Sequence, residues 1–248
     1  MKRLLALAVL LAALPAFARA ESGKVEKQTL VSRDKTRTYY LFVPTTISAE
    51  KPAPMIVTFH GSGRDGKTIV DAWKDLAEKE GIVLAGPDST DSVHWASPQD
   101  GPLLLRDIVD AVAAKHPIDR RRIYLFGHSA GAVFGLQMAS LESEFFAAAA
   151  VHAGSVDPAY FSIFDFAARK IPILIFIGTR DAYFPIAGVR ATADALKTRG
   201  FPVTLVEIPG HTHDYYSKAK EVNAQTWEFL SRERLPAEPN FRVYADPK

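Results

Sequence analysis

The sequence predicts an α/β fold with a mostly parallel central sheet and helices on both faces. Three observations predict it. Short apolar runs rich in Ile, Val and Phe recur at 55–59, 123–126 and 171–177, and such runs suit strands buried on both faces. Between them lie stretches whose apolar residues repeat at helical spacing. The 248-residue chain has no cysteine, so a conventional core rather than a disulfide frame must hold it together. Strands alternating with helices pair in parallel, because each crossover returns the chain to the same end of the sheet.

Taken in order, two β patterns at 28–31 and 38–43 flank the turn-prone Ser32-Arg33-Asp34-Lys35 and predict a hairpin. The strand at 55–59 follows Pro52 and Pro54. Ile69, Trp73, Leu76 and Glu80 then set a helical spacing, with Gly81 as the stop. A buried strand at 82–85 precedes the helical stripe Leu104, Leu105, Ile108, Val109 and Val112, which ends before Pro117. Arg120, Arg121 and Arg122 read as a solvated turn ahead of the strand at 123–126. The pattern continues with a helix at 131–141, a strand at 146–151, a helix at 157–168 and the strand at 171–177. A helix at 191–197, a strand at 203–208 and a helix at 217–230 complete it. No repeat, low-complexity block or linker divides the chain, so one domain is expected over 21–248. Residues 232–248, with Pro236, Pro239 and Pro247, form an extended tail.

Composition narrows the function classes. Hydrophobic residues make up 48%, which excludes a disordered chain. The formal charge is +2, from 30 basic and 28 acidic residues spread along the sequence, so neither nucleic acid nor an anionic membrane is the expected partner. Lys2 and Arg3, an apolar run at 4–14, Pro15 and then Ala18-Arg19-Ala20 have the layout of a secretory signal peptide cleaved after residue 20. The run is too short for a stable membrane anchor. A secreted or periplasmic protein is expected.

The chemistry centres on Gly127-His128-Ser129-Ala130-Gly131. A Gly-x-Ser-x-Gly between a strand and a helix is the setting of a nucleophile elbow, where the serine sits on a strained turn and flanking side chains would collide with neighbouring elements. A serine hydroxyl needs a base and an orienting acid. Asp181 follows the strand at 171–177, at the carboxyl end of the sheet where such folds place their sites; Asp157 and Asp165 fall in a predicted helix. The base must follow the last strand, and His211 and His213 both do. Their alternation points them the same way in an extended segment. His213 is preferred as the base, with His211 as a neighbour lining the substrate pocket. The oxyanion needs two backbone donors: Ala130, after the nucleophile, and Ser62 in the glycine loop His60-Gly61-Ser62-Gly63. Trp95, on the loop after the second core strand, is a candidate wall of an acyl or aryl pocket. His211, His213 and Asp214 can be drawn as metal ligands, but a base beside a bystander explains them with fewer assumptions, so no metal is expected.

The series His60-Gly-Ser-Gly63, then Asp119-Arg-x-Arg-Ile-Tyr-Leu-x-Gly-His-Ser-Ala-Gly131, then Gly178-Thr-x-Asp-x-x-x-Pro185, then His211 or His213 resembles the polyhydroxybutyrate depolymerase and feruloyl esterase group of α/β-hydrolases. The likeness runs from Met55 to Leu230. It implies an exported serine carboxylic ester hydrolase without a cofactor, with Ser129, Asp181 and a late histidine as triad. Pro209 to His213, followed by Tyr215 and Tyr216, matches one family pattern for the base; Gly210-His211-Thr212 matches part of another. The lack of cysteines and of an appended polymer-binding domain departs from the group and favours a small or oligomeric soluble ester of feruloyl, acetyl or hydroxyalkanoate type. A serine peptidase, an acyltransferase and a non-catalytic binding domain on the same scaffold are the competing functions.

Overall fold

The computed structural model describes residues 23–242; the expected leader at 1–20 lies outside them. One eight-stranded sheet, ordered β1-β2-β4-β3-β5-β6-β7-β8, organises the described residues. The hairpin β1 (Val25–Ser32) and β2 (Lys35–Phe42) adds antiparallel to β4 (Val83–Pro87). From there β3 (Ala53–Phe59), β5 (Ile118–His128), β6 (Ala148–His152), β7 (Ile173–Gly178) and β8 (Val203–Ile208) run parallel. This is an α/β-hydrolase arrangement, as the strand and helix alternation predicts.

Among the described residues, five α-helices cover the two faces. Helix α1 (Gly66–Glu80) and helix α5 (Ala219–Leu230) pack one face, where Trp73, Phe126, Tyr215 and Leu230 are buried together. Helices α2 (Pro102–Ala113), α3 (Ala130–Leu141) and α4 (Ile186–Thr198) pack the other, against Val57, Leu125, Val151 and Ile175. Because both faces are covered, β3, β4, β6 and β7 have no exposed residue, which is why they read as unbroken apolar runs. Helix α1 shows the local logic: Asp65 caps it by accepting from Thr68 N–H at 2.8 Å, and Gly81 ends it in the left-handed region at φ 73°.

The structure corrects three expectations. Arg120, Arg121 and Arg122 are not a turn but lie inside β5. Their charges are met by Asp110, by the Leu235 and Pro236 carbonyls, and by Asp119 with the Pro52 carbonyl, respectively. The segment predicted as a helix at 157–168 is a 3₁₀ turn series, Pro158–Phe166, and the last helix is preceded by a 3₁₀ turn at Tyr215–Lys218. The start of the tail is extended but anchored: Leu235 is buried, its N–H bonds to the Arg121 carbonyl, and Phe241 packs edge-on against Phe145.

The strands deliver their carboxyl ends to one rim, and two glycines set the spacing there. A β-carbon on Gly127 would lie 2.1 Å from the Gly131 carbonyl oxygen, and one on Gly131 would lie 2.2 Å from that of Phe59. Backbone therefore touches backbone where β5 hands over to α3 beside β3. We expect Gly131→Ala to lower stability by about 3 kcal/mol, the upper range for overpacking, in urea denaturation. A variant as stable as the wild type would mean that this contact is not tight.

Candidate active site

Ser129 occupies the turn between β5 and α3 at φ 57° and ψ −120°. That conformation is costly for a residue with a β-carbon. It is held by the Ser129 N–H, which donates to the His152 carbonyl at 3.0 Å, and by α3, whose first bonds return to the Ser129 carbonyl. The hydroxyl lies 2.9 Å from Nε2 of His213, and Nδ1 of His213 lies 2.8 Å from Oδ2 of Asp181. A carboxylate only accepts, so Nδ1 carries the hydrogen and Nε2 of the neutral ring presents its lone pair to the hydroxyl. The Asp181 side chain is fully buried, whereas that of His213 keeps 20% exposure. The structure thus brings together Ser129, Asp181 and His213, from the ends of β5, β7 and β8.

Asp181 also shapes its own loop. Its Oδ1 accepts from the N–H groups of Tyr183 and Phe184, both at 2.8 Å. Behind it, β7 and the loop carrying His211 and His213 meet closely, since a β-carbon on Gly178 would lie 2.2 Å from the His211 carbonyl oxygen. That carbonyl accepts from Arg180 N–H at 2.9 Å, which fixes the Asp181 loop to the His213 loop.

The glycine loop packs directly on the elbow: a β-carbon on Gly61 would be 3.1 Å from Cβ of Ser129. The amide of Ala130 opens α3, where the helix dipole favours negative charge. Ser62 is exposed, and its hydroxyl donates to the Val93 carbonyl at 2.6 Å, while Gly63 N–H donates to the Ser92 carbonyl at 2.7 Å. The loop containing Ser92 and Val93 is itself built around a buried carboxylate. Asp100, with no exposure, accepts from Thr90 N–H and hydroxyl, from Ala96 N–H and from Arg37 of β2. Trp95, expected as a pocket wall, is half-buried and braces the glycine loop. Its Nε1 donates to the His60 carbonyl at 3.0 Å, and its ring stacks on Phe134 at 4.8 Å and meets Phe59 edge-on.

His211, expected to line the substrate pocket, is buried and belongs to a histidine chain. Its Nε2 lies 3.1 Å from Nε2 of His152, whose Nδ1 lies 3.1 Å from Nδ1 of His128. His128 Nδ1 also lies 3.3 Å from the His152 carbonyl. A carbonyl only accepts, so His128 Nδ1 donates. The only consistent neutral order then has His152 accepting at Nδ1 and donating from Nε2 to His211. Burial keeps these rings neutral. It pulls His128 down to about 4, with His213 adding repulsion, and pulls His152 well below the usual range, with His128 as the next cause. Burial lowers His211 and His60 as well. Sequence reasoning passed over His152 and His128. The available signal was position, since His152 comes directly after the apolar run at 146–151 and ends β6.

A family model described as the dienelactone hydrolase family matches residues 88–232, more than half of the chain. The chain belongs to the dienelactone hydrolase family. Within this family member, the match takes in Ser129, Asp181 and His213 but not the glycine loop. Two curated relatives align over 58% of the chain. A poly(3-hydroxyalkanoate) depolymerase C of Paucimonas lemoignei is 29% identical over 162 residues, and a bifunctional acetylxylan esterase/xylanase of Neocallimastix patriciarum is 26% identical over 158. The alignments cover 39% and 21% of those longer proteins. Among solved structures, an S-formylglutathione hydrolase from Agrobacterium tumefaciens is 17% identical with a TM-score of 0.66, covering 84% of this chain and 94% of that one. The butyrate-bound esterase 2 of Thermogutta terrifontis is 19% identical with a TM-score of 0.67 and the same coverage. These structures share the fold.

The neutral histidine chain sets a pH dependence. A group whose folded pKa is depressed gives its full stability above its unfolded value, and loses it as pH falls toward the folded one. Stability should therefore be complete above pH 6.5, the ordinary histidine value, and decline toward pH 4. His128 alone contributes about 3 kcal/mol over that window. Thermal melting between pH 4.5 and 7 should show the decline, and His128→Asn should flatten it. Equal slopes in the two proteins would refute the neutral order.

Proposed function

We propose that the chain is an exported serine carboxylic ester hydrolase acting through an acyl-enzyme. The observation that carries this reading is the continuous bond series from the Ser129 hydroxyl through His213 to the buried carboxylate of Asp181, at 2.9 and 2.8 Å. In the first half-reaction the Ser129 oxygen attacks the ester carbonyl carbon while His213 Nε2 takes the hydroxyl proton. The amides of Ala130 and Ser62 receive the negative charge that develops on the carbonyl oxygen. The carbon–oxygen bond to the alcohol then breaks, and the proton passes from Nε2 to the departing oxygen. Water repeats the sequence on the acyl-enzyme, releasing the acid and restoring the serine. Asp181 stays ionised throughout and holds the imidazole in the required tautomer. No step calls for a metal or an organic cofactor.

The N-terminal pattern at 1–20 supports export, and 21–248 is read as one hydrolase domain. Two relatives are named for a poly(3-hydroxyalkanoate) depolymerase and an acetylxylan esterase, which supports acetyl and hydroxyalkanoate esters as the substrate class. Among the described residues no helix is long and apolar enough to cross a membrane.

The test is hydrolysis of p-nitrophenyl acetate. Ser129→Ala and His213→Ala should each lower kcat/KM by at least about a thousandfold. His211→Ala should lower it by less than about a hundredfold, because that ring supports the loop and does not reach the hydroxyl. Equal activity of wild type and Ser129→Ala would overturn the mechanism, and a larger loss in His211→Ala than in His213→Ala would reassign the base.

A further inference from the structure

One aromatic ring stands at the base without contributing to the core. Tyr183 is 76% exposed, yet its ring centroid is 4.7 Å from that of His213. Two other aromatic rings flank the same imidazole. Phe184, half-buried, stacks on it at 5.7 Å, and His128, buried, lies at 4.9 Å. Of the three, only Tyr183 offers most of its surface to solvent. Its place is fixed, because its N–H donates to Oδ1 of Asp181 while Oδ2 of the same carboxylate faces the base. The ring is therefore carried by a residue whose backbone is bonded to the carboxylate that also bonds the imidazole.

The reaction decides which part of an ester meets that ring, on the reading that the site is a serine esterase. The oxyanion is held by the elbow and the glycine loop, whose Gly61 packs on the Ser129 side chain. The departing oxygen must instead come within hydrogen-bond reach of His213 Nε2, which protonates it. The alcohol therefore leaves on the imidazole side, where Tyr183 is the exposed surface. A tyrosine ring offers a flat apolar face, and its natural partner is another flat face. We propose that Tyr183 forms a leaving-group subsite that selects esters whose alcohol carries a ring, either an aryl ring or the C–H face of a pyranose.

Because acylation involves the alcohol and deacylation does not, the subsite acts only in the first half-reaction. Acetates of different alcohols give the same acetyl-enzyme, so the alcohol can be varied alone. The experiment compares kcat/KM for ethyl acetate, phenyl acetate and a methyl xylopyranoside acetate in wild type, Tyr183→Ala and Tyr183→Phe. In Tyr183→Ala, the preference for at least one ring alcohol over ethanol should fall by about tenfold, in the range of one aromatic contact with its buried area. The ring ester on which it falls identifies aryl or sugar as the source. Tyr183→Phe keeps the face and should keep the preference.

A loss equal on all three esters would mean that Tyr183 only supports His213, and would overturn the subsite. No loss on either ring ester would overturn it too, as would a drop in Tyr183→Phe as large as in Tyr183→Ala. Measured deacylation of the acetyl-enzyme separates the two roles further. The subsite predicts a smaller effect of Tyr183→Ala there than on acylation of the ring ester, whereas a disturbed base slows both alike. A wild-type protein that hydrolyses none of the three would overturn the esterase reading itself, and the subsite with it. A wild type that hydrolyses them, with no change of preference on mutation, overturns the subsite alone.

Discussion

Two backbones in near contact, at Gly127 and Gly131, fix the geometry of the whole rim. The carbonyl oxygens of Gly131 and Phe59 occupy the space that β-carbons would need, so β3, β5 and the start of α3 approach more closely than any other side chain would permit. That approach turns the chain sharply enough to hold Ser129 at φ 57°. It also brings Gly61 against the serine, which sets where the glycine loop can lie. The strain at Ser129 is held by the parallel sheet on either side. The serine N–H is bonded to β6, and β6 is in register with both β5 and β7. Position at this rim is thus inherited from sheet register, with little left to side-chain choice.

On top of that frame, two kinds of electrostatic environment sit a few ångströms apart. Asp181 is buried but fully bonded, with one oxygen facing the base and the other accepting two backbone N–H groups, so its charge is compensated where it lies. The histidines behind the elbow take the opposite course, remaining neutral and ordering their hydrogens along a single direction from His128 to His211. A charge on His152 would make both its nitrogens donors and set it against the His128 hydrogen. With these rings neutral, Asp181 is the one charged group bonded to His213 among the described residues.

The fold was legible in the sequence because a sheet covered on both faces leaves its strands as short apolar runs rich in Ile, Val and Phe, too short for helices; the ends of 55–59 and 171–177 differ from those of β3 and β7 by two residues at most. Legibility failed where context decides. The three arginines of β5 sit on a strand because their guanidinium groups find carbonyls and carboxylates supplied by distant segments. The segment at 157–168 runs as 3₁₀ turns from Pro158 to Phe166, opened by Asp157, whose side chain accepts from Ala159 N–H. At the site, Ser129, Asp181 and the histidine pair were visible because each follows a strand. The choice between His211 and His213 was not, since it rests on which ring the β6 residue His152 takes up. The internal partners of Trp95 and His211 were not legible either, because the His60 carbonyl and the His152 ring that meet them come from distant segments.

The buried pairing of Arg37 with Asp100 bears on how this protein can be divided. Residues 88–232 carry the family likeness and the three residues at the ends of β5, β7 and β8. Yet Asp100, which organises the loop bonded to the glycine loop, takes its cation from β2, in the hairpin at the far edge of the sheet. An anion with no exposure that loses its cation is an expensive defect. The hairpin is therefore no detachable ornament. Trimming, circularly permuting or grafting this molecule at the boundary suggested by similarity would remove a counter-ion from beneath the glycine loop, and a minimal version has to begin before Arg37.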